Sequence, residues 1–206
     1  MLAAQYGADK PQNNMVRVLL RYGANPNGRT AEGYTALFFA ARAGLRLYSG
    51  AVDSVAELLA AGADPQLQAK DGTTAIFWWA ASAIDPREQL STNQREEFYR
   101  DFLTIAKSFH ARGADLSQRE DSHGMTPLHV AAEQCNPHGA LLMQAIGIDP
   151  ATGDSRLMAP KELVDRRIRD QGDSRLCRQT LEALGNKALV AHWKQIAYQV
   201  APLNLK

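Results

Sequence analysis

Cysteine is nearly absent: two residues in 206, Cys135 and Cys177, far apart and in no CxxC arrangement. No disulfide framework and no CxxC redox or zinc site is therefore expected. Charge of one sign is missing too, with 23 Lys and Arg against 22 Asp and Glu, a net +1. Non-specific nucleic-acid binding needs a basic face, so no nucleic acid is expected as partner. The one arginine cluster, Arg166, Arg167, Arg169, Arg175 and Arg178, is interspersed with Asp165, Asp170 and Asp173 and reads as a solvated surface. No apolar run is long enough to cross a bilayer, which excludes membrane insertion by a helix. Glycine-rich phosphate loops are lacking, and the histidines have no recurring Ser, Cys or carboxylate companion. Catalysis, a cofactor and a small-molecule substrate are accordingly not expected. With 45% hydrophobic residues, the chain does have material for one cooperative core over 1–206.

What is present is a repeat. Gly124-Met125-Thr126-Pro127-Leu128-His129-Val130-Ala131-Ala132 shares its frame with Gly33-Tyr34-Thr35-Ala36-Leu37-Phe38-Phe39-Ala40-Ala41 and Gly72-Thr73-Thr74-Ala75-Ile76-Phe77-Trp78-Trp79-Ala80. A second signature recurs as Leu19-Leu20…Gly23-Ala24-Asn25-Pro26, Leu58-Leu59…Gly62-Ala63-Asp64-Pro65 and Gly113-Ala114-Asp115-Leu116, with a weaker copy at Gly147-Ile148-Asp149-Pro150. Thr ahead of Ala or Pro suits a helix start. Paired alanines let two helices approach closely, and glycine after a leucine pair ends an outer helix in a left-handed turn. A helix pair of this kind cannot bury its apolar face alone, so neighbours must stack.

The Thr-Pro-Leu-His tetrapeptide and the Gly-Ala-Asp endings resemble the ankyrin repeat family over residues 1 to about 150. The resemblance implies an all-α ankyrin-repeat solenoid with β-turn or hairpin fingers. About five repeats are expected, near 1–29, 30–68, 69–120, 121–153 and 154–185, then a C-terminal capping helix over 186–206. The fifth copy is degenerate: Lys161 stands where the family has a buried leucine. In the last helix, Leu189, Trp193, Ile196 and Val200 form the expected apolar stripe.

Three repeats depart from the family in length. The small-residue pair and the following glycine are 15 positions apart from Ala132 to Gly147, the family's usual spacing. The same distance is 19 from Ala4 to Gly23, 21 from Ala41 to Gly62 and 33 from Ala80 to Gly113. The largest excess, Ser82 to about Arg100, opens with a loop at Ile84-Asp85-Pro86-Arg87. Ser91 and Gln94 then offer a capping box. Phe98, Phe102, Ile105 and Phe109 recur at helical spacing, which predicts an outer helix lengthened at its N-terminal end. Trp79 replaces an alanine, so this repeat must pack differently, and Phe77-Trp78-Trp79 is expected to fill core space. Shortening Ser82–Arg100 is expected to weaken binding and to leave folding intact.

The resemblance implies a protein partner held on the fingers and inner helices. Those positions are Arg29, Ala31, Glu32 and Tyr34; Lys70, Asp71 and Thr73; Ser122, His123 and Met125; and, on the inner helices, Arg42, Ala43, Glu133 and Gln134. Tyr34, His123 and Met125 are the expected anchors. His123, His129, Cys135 and His138 raise the question of zinc, but their spacing fits no known finger. In the family, the histidine of the tetrapeptide bonds neighbouring loops instead, so no metal is expected. Irregular repeats with long inter-helix loops are similar to those of small bacterial ankyrin proteins, some of which are immunity proteins that plug a toxin. That implies a protein that binds and neutralises, or scaffolds, one partner such as a toxin or effector. The alternative is the ankyrin portion of a secreted effector that docks on host proteins. Met1 falls at the histidine position of a tetrapeptide, so upstream residues are expected to have been removed. Cytoplasm ranks ahead of periplasm or secretion, which would follow from loss of an N-terminal segment.

Overall fold

The computed structural model describes residues 15–43, 51–81, 91–119 and 123–200, which hold ten helices and no strands. In chain order they are α1 (Met15–Arg21), α2 (Ala36–Ala43), α3 (Ala51–Ala60), α4 (Ala75–Ala81), α5 (Thr92–Ala111), α6 (Pro127–Glu133), α7 (Pro137–Ala145), α8 (Pro160–Gln171), α9 (Arg175–Gly185) and α10 (Lys187–Val200). One row runs α2, α4, α6, α8, each packed on the next; a second row runs α1, α3, α5, α7, α9. The fingers are turns without strand pairing among the described residues. Leu2-Ala3-Ala4 and the Ile84–Arg87 segment lie outside the described residues.

Local chemistry explains where the helices begin and end. Proline occupies the first position of α6, α7 and α8, where its missing N–H costs nothing. Ser91 and Gln94 form the expected capping box: Gln94 N–H donates to Ser91 Oγ at 3.3 Å and Ser91 N–H to Gln94 Oε1 at 3.0 Å. The 20-residue α5 that follows buries Phe98, Phe102, Ile105 and Phe109, as their spacing predicts. Gly62 ends α3 at φ +88°, and the Ala63 N–H then donates back to Leu58 O. A side chain would be strained in that left-handed turn.

The paired alanines Ala40–Ala41 and Ala131–Ala132 are fully buried, so the row of α2, α4 and α6 is closely packed. Trp79 breaks the rule. Its ring is 0% exposed and stacks on Phe102 of α5 at 3.8 Å between centroids. The indole occupies the space that a more distant α5 opens, and this ring stack joins α4 to α5. Phe77 is buried as expected, whereas Trp78 is only half-buried.

Two expectations need correction. Phe98 and Tyr99 of α5 are buried, so cutting through to Arg100 would strip core residues and destabilise the fold. The last helix does form, but α10 lies across α7 and α5 in addition to meeting α9. Its buried stripe is Trp193 and Ala197, with Val190 and Ile196 half-buried, while Leu189 is 38% exposed. The Val200 side chain lies outside the described residues.

Beneath α10 sits a polar joint. Tyr99 Oη lies 2.6 Å from His138 Nδ1 on α7, and Trp193 meets the tyrosine ring edge-on at 4.5 Å. Burial pushes the tyrosine up to about 12, so its hydroxyl keeps its proton and donates it to the imidazole. Burial, and secondarily the Arg95 charge, pulls His138 down to about 4. The folded value lies below the unfolded one, so the joint contributes fully above pH 6.5 and its contribution is lost as pH falls towards 4. Acidification over that window should cost on the order of 2 kcal/mol, allowing for partial solvent access. Urea melts at pH 7 and pH 4.5 on wild type and His138→Gln should show a smaller pH difference in the variant.

Candidate functional site

The turns before α2 and α4 are hydrogen-bonded to one another. Thr30 N–H donates to Tyr34 O at 2.9 Å, and Ala69 N–H to Thr73 O at 2.8 Å. Lys70 N–H donates across to Glu32 O at 3.0 Å. Gly33 is required here: at φ +90° a Cβ would stand 3.1 Å from Ala69 Cα. The Arg29 guanidinium donates to Gln68 O in the next turn and, at 3.3 Å, to Gly33 O. It acts as a brace between turns, which limits it as a partner contact. Arg119, overlooked in the sequence, does the same further on, donating to Gly124 O and Gly153 O at 2.8 Å each.

His129 is the buried version of this bracing. Its Nδ1 faces Thr126 N at 3.1 Å and Thr126 Oγ1 at 2.7 Å, while Nε2 meets Met158 O at 3.2 Å. Accepting at Nδ1 from the threonine N–H places the proton on Nε2, which donates to Met158. Burial lowers the histidine's affinity for a second proton, so the neutral ring that this pattern needs is favoured. This is the loop-to-loop role expected of the tetrapeptide histidine. In the preceding copy Phe77 replaces it, and the buried Thr74 hydroxyl has no hydrogen-bond partner. Thr74→Val should consequently be neutral or stabilise by up to about 1 kcal/mol, and Thr126→Val should destabilise by about 2 kcal/mol. Equal losses in paired chemical melts would contradict this.

The side chains of three of the four candidate zinc ligands are engaged elsewhere. His129 bonds Thr126 and Met158, and His138 bonds Tyr99. His123 is exposed, its carbonyl accepting from Ser155 N–H at 2.8 Å. Cys135 is disulfide-bonded to Cys177, against the expectation of no disulfide. The start of α9 folds over the end of α6, a meeting that linear spacing does not reveal.

Of the expected contact residues, one group converges. Tyr34 packs on Phe38 at 5.4 Å and on Trp78 at 4.6 Å, with its hydroxyl 3.4 Å from Asp71 Oδ2. Burial, then the Asp71 charge, raises that phenol above its ordinary value. Thr73 Oγ1 donates to Asp71 Oδ1 at 2.6 Å. Phe39 meets Trp78 edge-on at 5.6 Å, and the exposed Arg42 guanidinium lies 5.5 Å above the Trp78 ring. Trp78 was expected to fill core space, yet it and Phe39 are both half-buried and continue the Tyr34 surface along α2 and α4. Their shared place in the repeat frame, directly after Phe38 and Phe77, was the available signal. Ala31, Glu32, Lys70 and Asp71 are exposed beside this patch.

A second group follows on α6. Met125 and Glu133 are half-buried and Gln134 is exposed. Glu133 lies 3.6 Å from Arg166, and its carbonyl accepts from Arg167 at 2.9 Å. Ser122 and the side chain of Ala43 lie outside the described residues. Among the described residues no three His, Cys, Asp or Glu side chains converge, and no helix is long and apolar enough to cross a membrane.

Paired helices in two rows, braced through their turns, define a helical-repeat module that presents side chains. The family model of the ankyrin repeat matches residues 32–70, which run from the turn before α2 through α2 and α3 to the turn that follows. Residues 32–70 are thus identified as an ankyrin repeat. Ankyrin repeats are generally non-catalytic modules for protein–protein interaction, and that is the class to which this chain points. No curated protein matches the chain.

Proposed function

We propose that this protein is a solenoid of about five ankyrin repeats that binds, and neutralises or scaffolds, one protein partner, in the manner of an immunity protein. The observation that carries the reading is the patch of Tyr34, Phe39 and Trp78 under Arg42. Rigid aromatic rings held by their neighbours lose little entropy on binding and are the usual centres of interface energy. Glu32, Lys70 and Asp71 supply a polar rim. His123, Met125, Glu133 and Gln134 would extend the contact along α6.

The test uses the tagged chain as bait in the source organism's lysate, with Trp78→Ala in parallel. One protein should be recovered stoichiometrically by wild type, and the variant should bind it at least about thirtyfold more weakly with its helicity retained. A partner encoded beside this gene and toxic when expressed alone would support neutralisation in particular. Equal capture by the variant would reject the patch, and a scattered set of proteins would reject the single-partner reading.

A further inference from the structure

Cys135 and Cys177 tie the two rows of helices together across the last helix pair. Cys135 follows the end of α6, and Cys177 is in the first turn of α9, where its N–H donates to the Ser174 cap at 3.1 Å. The Cα atoms are 4.6 Å apart, and both residues are buried, at 4% and 3% exposure. They form a small core with Ala132 and Val164, flanked by the partly buried Ile168, Leu176, Leu181 and Leu184. Beyond that cluster α8 buries Pro160 and Leu163, while Lys161, Glu162, Arg169, Asp170 and Gln171 are all exposed. Its polar ties to the body include the His129–Met158 bond, the Arg119–Gly153 and Ser155–His123 bonds just ahead of it, and the Arg166 and Arg167 contacts with Glu133, while α9 packs along α7.

Two further observations single out these residues. Cys135 adopts φ +50°, a left-handed turn where glycine is the ordinary residue. A side chain kept there at a steric cost implies that the side chain is wanted. The sequence also contains no third cysteine, so neither sulfur has another intramolecular partner or a resolving thiol. A structural bond fits this better than a catalytic redox pair, which needs an exposed, activated thiol.

We infer that this protein matures in an oxidising compartment and that forming the Cys135–Cys177 bond is the step that fastens α8 and α9 onto α6. The cytoplasmic expectation gives way to a periplasmic, secreted or comparable setting. The chemistry is thiol–disulfide exchange with an oxidised dithiol oxidoreductase or a low-molecular-weight disulfide. One cysteine thiolate attacks the acceptor disulfide, forming a mixed disulfide and releasing one acceptor thiolate. The second cysteine thiolate then displaces the other acceptor sulfur. Two electrons pass to the acceptor, which leaves as two thiols carrying the two protons. Because both sulfurs are buried, exchange in the folded protein requires α8 and α9 to open, so the bond forms during folding and is slow to reduce afterwards. The separation of 42 residues makes the constraint on the unfolded chain large. The inference is independent of the binding reading, although Glu133 and Gln134 adjoin Cys135 and would be held in place by the same bond.

The test begins with cells of the source organism quenched in acid, their proteins denatured and then tagged with a maleimide polymer. The full chain should take up no tag until it has been reduced, and two tags afterwards. Two free thiols at steady state would overturn the compartment claim. Hydrogen exchange on the purified full chain, oxidised and reduced, then tests the fastening. Reduction should speed amide exchange in 160–185 at least about a hundredfold and leave 51–81 unchanged. Unchanged exchange in 160–185 would overturn it. Should the reduced chain unfold altogether, Cys135→Gly, which suits the left-handed turn, provides the second readout. That variant should fold and show the same local loosening, and normal protection in 160–185 would overturn the proposal.

Discussion

Trp79→Ala is expected to destabilise the protein by about 4 kcal/mol, even though it restores the residue that the repeat frame prefers at that position. In its neighbours the equivalent residue is small because the helices are in close contact: Ala40 and Ala131 are both fully buried. Around Trp79 the helices are spread differently, and the indole is stacked on Phe102 with Phe109 6.5 Å away. Deleting the ring leaves a cavity bounded by aromatic side chains of a 20-residue helix, which cannot slide inward without displacing Phe98 and Tyr99 from their own burial. One offset is foreseen. The indole Nε1 is buried without a hydrogen-bond partner, so the wild type already carries a desolvated donor. Trp79→Phe should therefore be much milder than Trp79→Ala. Urea melts followed by circular dichroism would check both, and an alanine variant within 1 kcal/mol of wild type would mean that α5 can close onto α4.

His129→Ala is expected to cost about 3 kcal/mol, the second-largest loss. The ring is fully buried and answers three groups at once: the Thr126 N–H, the Thr126 hydroxyl and the Met158 carbonyl. Removing it leaves all three without that partner and separates the turn before α6 from the one before α8. Hydrogen exchange should show the damage centred on residues 123–130 and 152–163, with α2 and α3 spared. Uniform loosening of the whole chain, or none, would count against this role. In α8 the same position is filled by Glu162, whose carboxylate accepts from Ala159 N–H at 2.7 Å. A carboxylate can satisfy the helix start but cannot donate onward to a neighbouring loop, which suits the last inner helix of the row.

The parts of this fold that could be read from the sequence are those set by short-range chemistry. The frame of Thr35, Thr74 and Thr126, the glycine at 62, the Ser91–Gln94 box and the 98-102-105-109 stripe each depend on residues within one or two turns. What escaped depends on distant parts of the chain. Nothing near Cys135 says that Cys177 will lie over it. The stripe of α10 was misplaced by one residue because its partners are α5 and α7, and Leu189 and Val190 are equally apolar in a one-dimensional reading. Phe39 and Trp78 carried a visible signal, but hydrophobic character alone cannot separate a ring buried on both faces from one left half-open. Arg29 looked like a contact residue and is largely a brace, a distinction that requires the position of Gln68 O.

The central claim is that the face formed by α2 and α4 holds a protein partner, and photo-crosslinking tests it most directly. A photoreactive phenylalanine analogue would be placed at Phe39, and in a second chain at Ala56, which is exposed on the outer helix α3. Irradiation in the source organism should give one discrete crosslinked protein from position 39 and none from position 56. The same product from both positions, or no product from position 39 in a chain that is folded and expressed, would contradict the account.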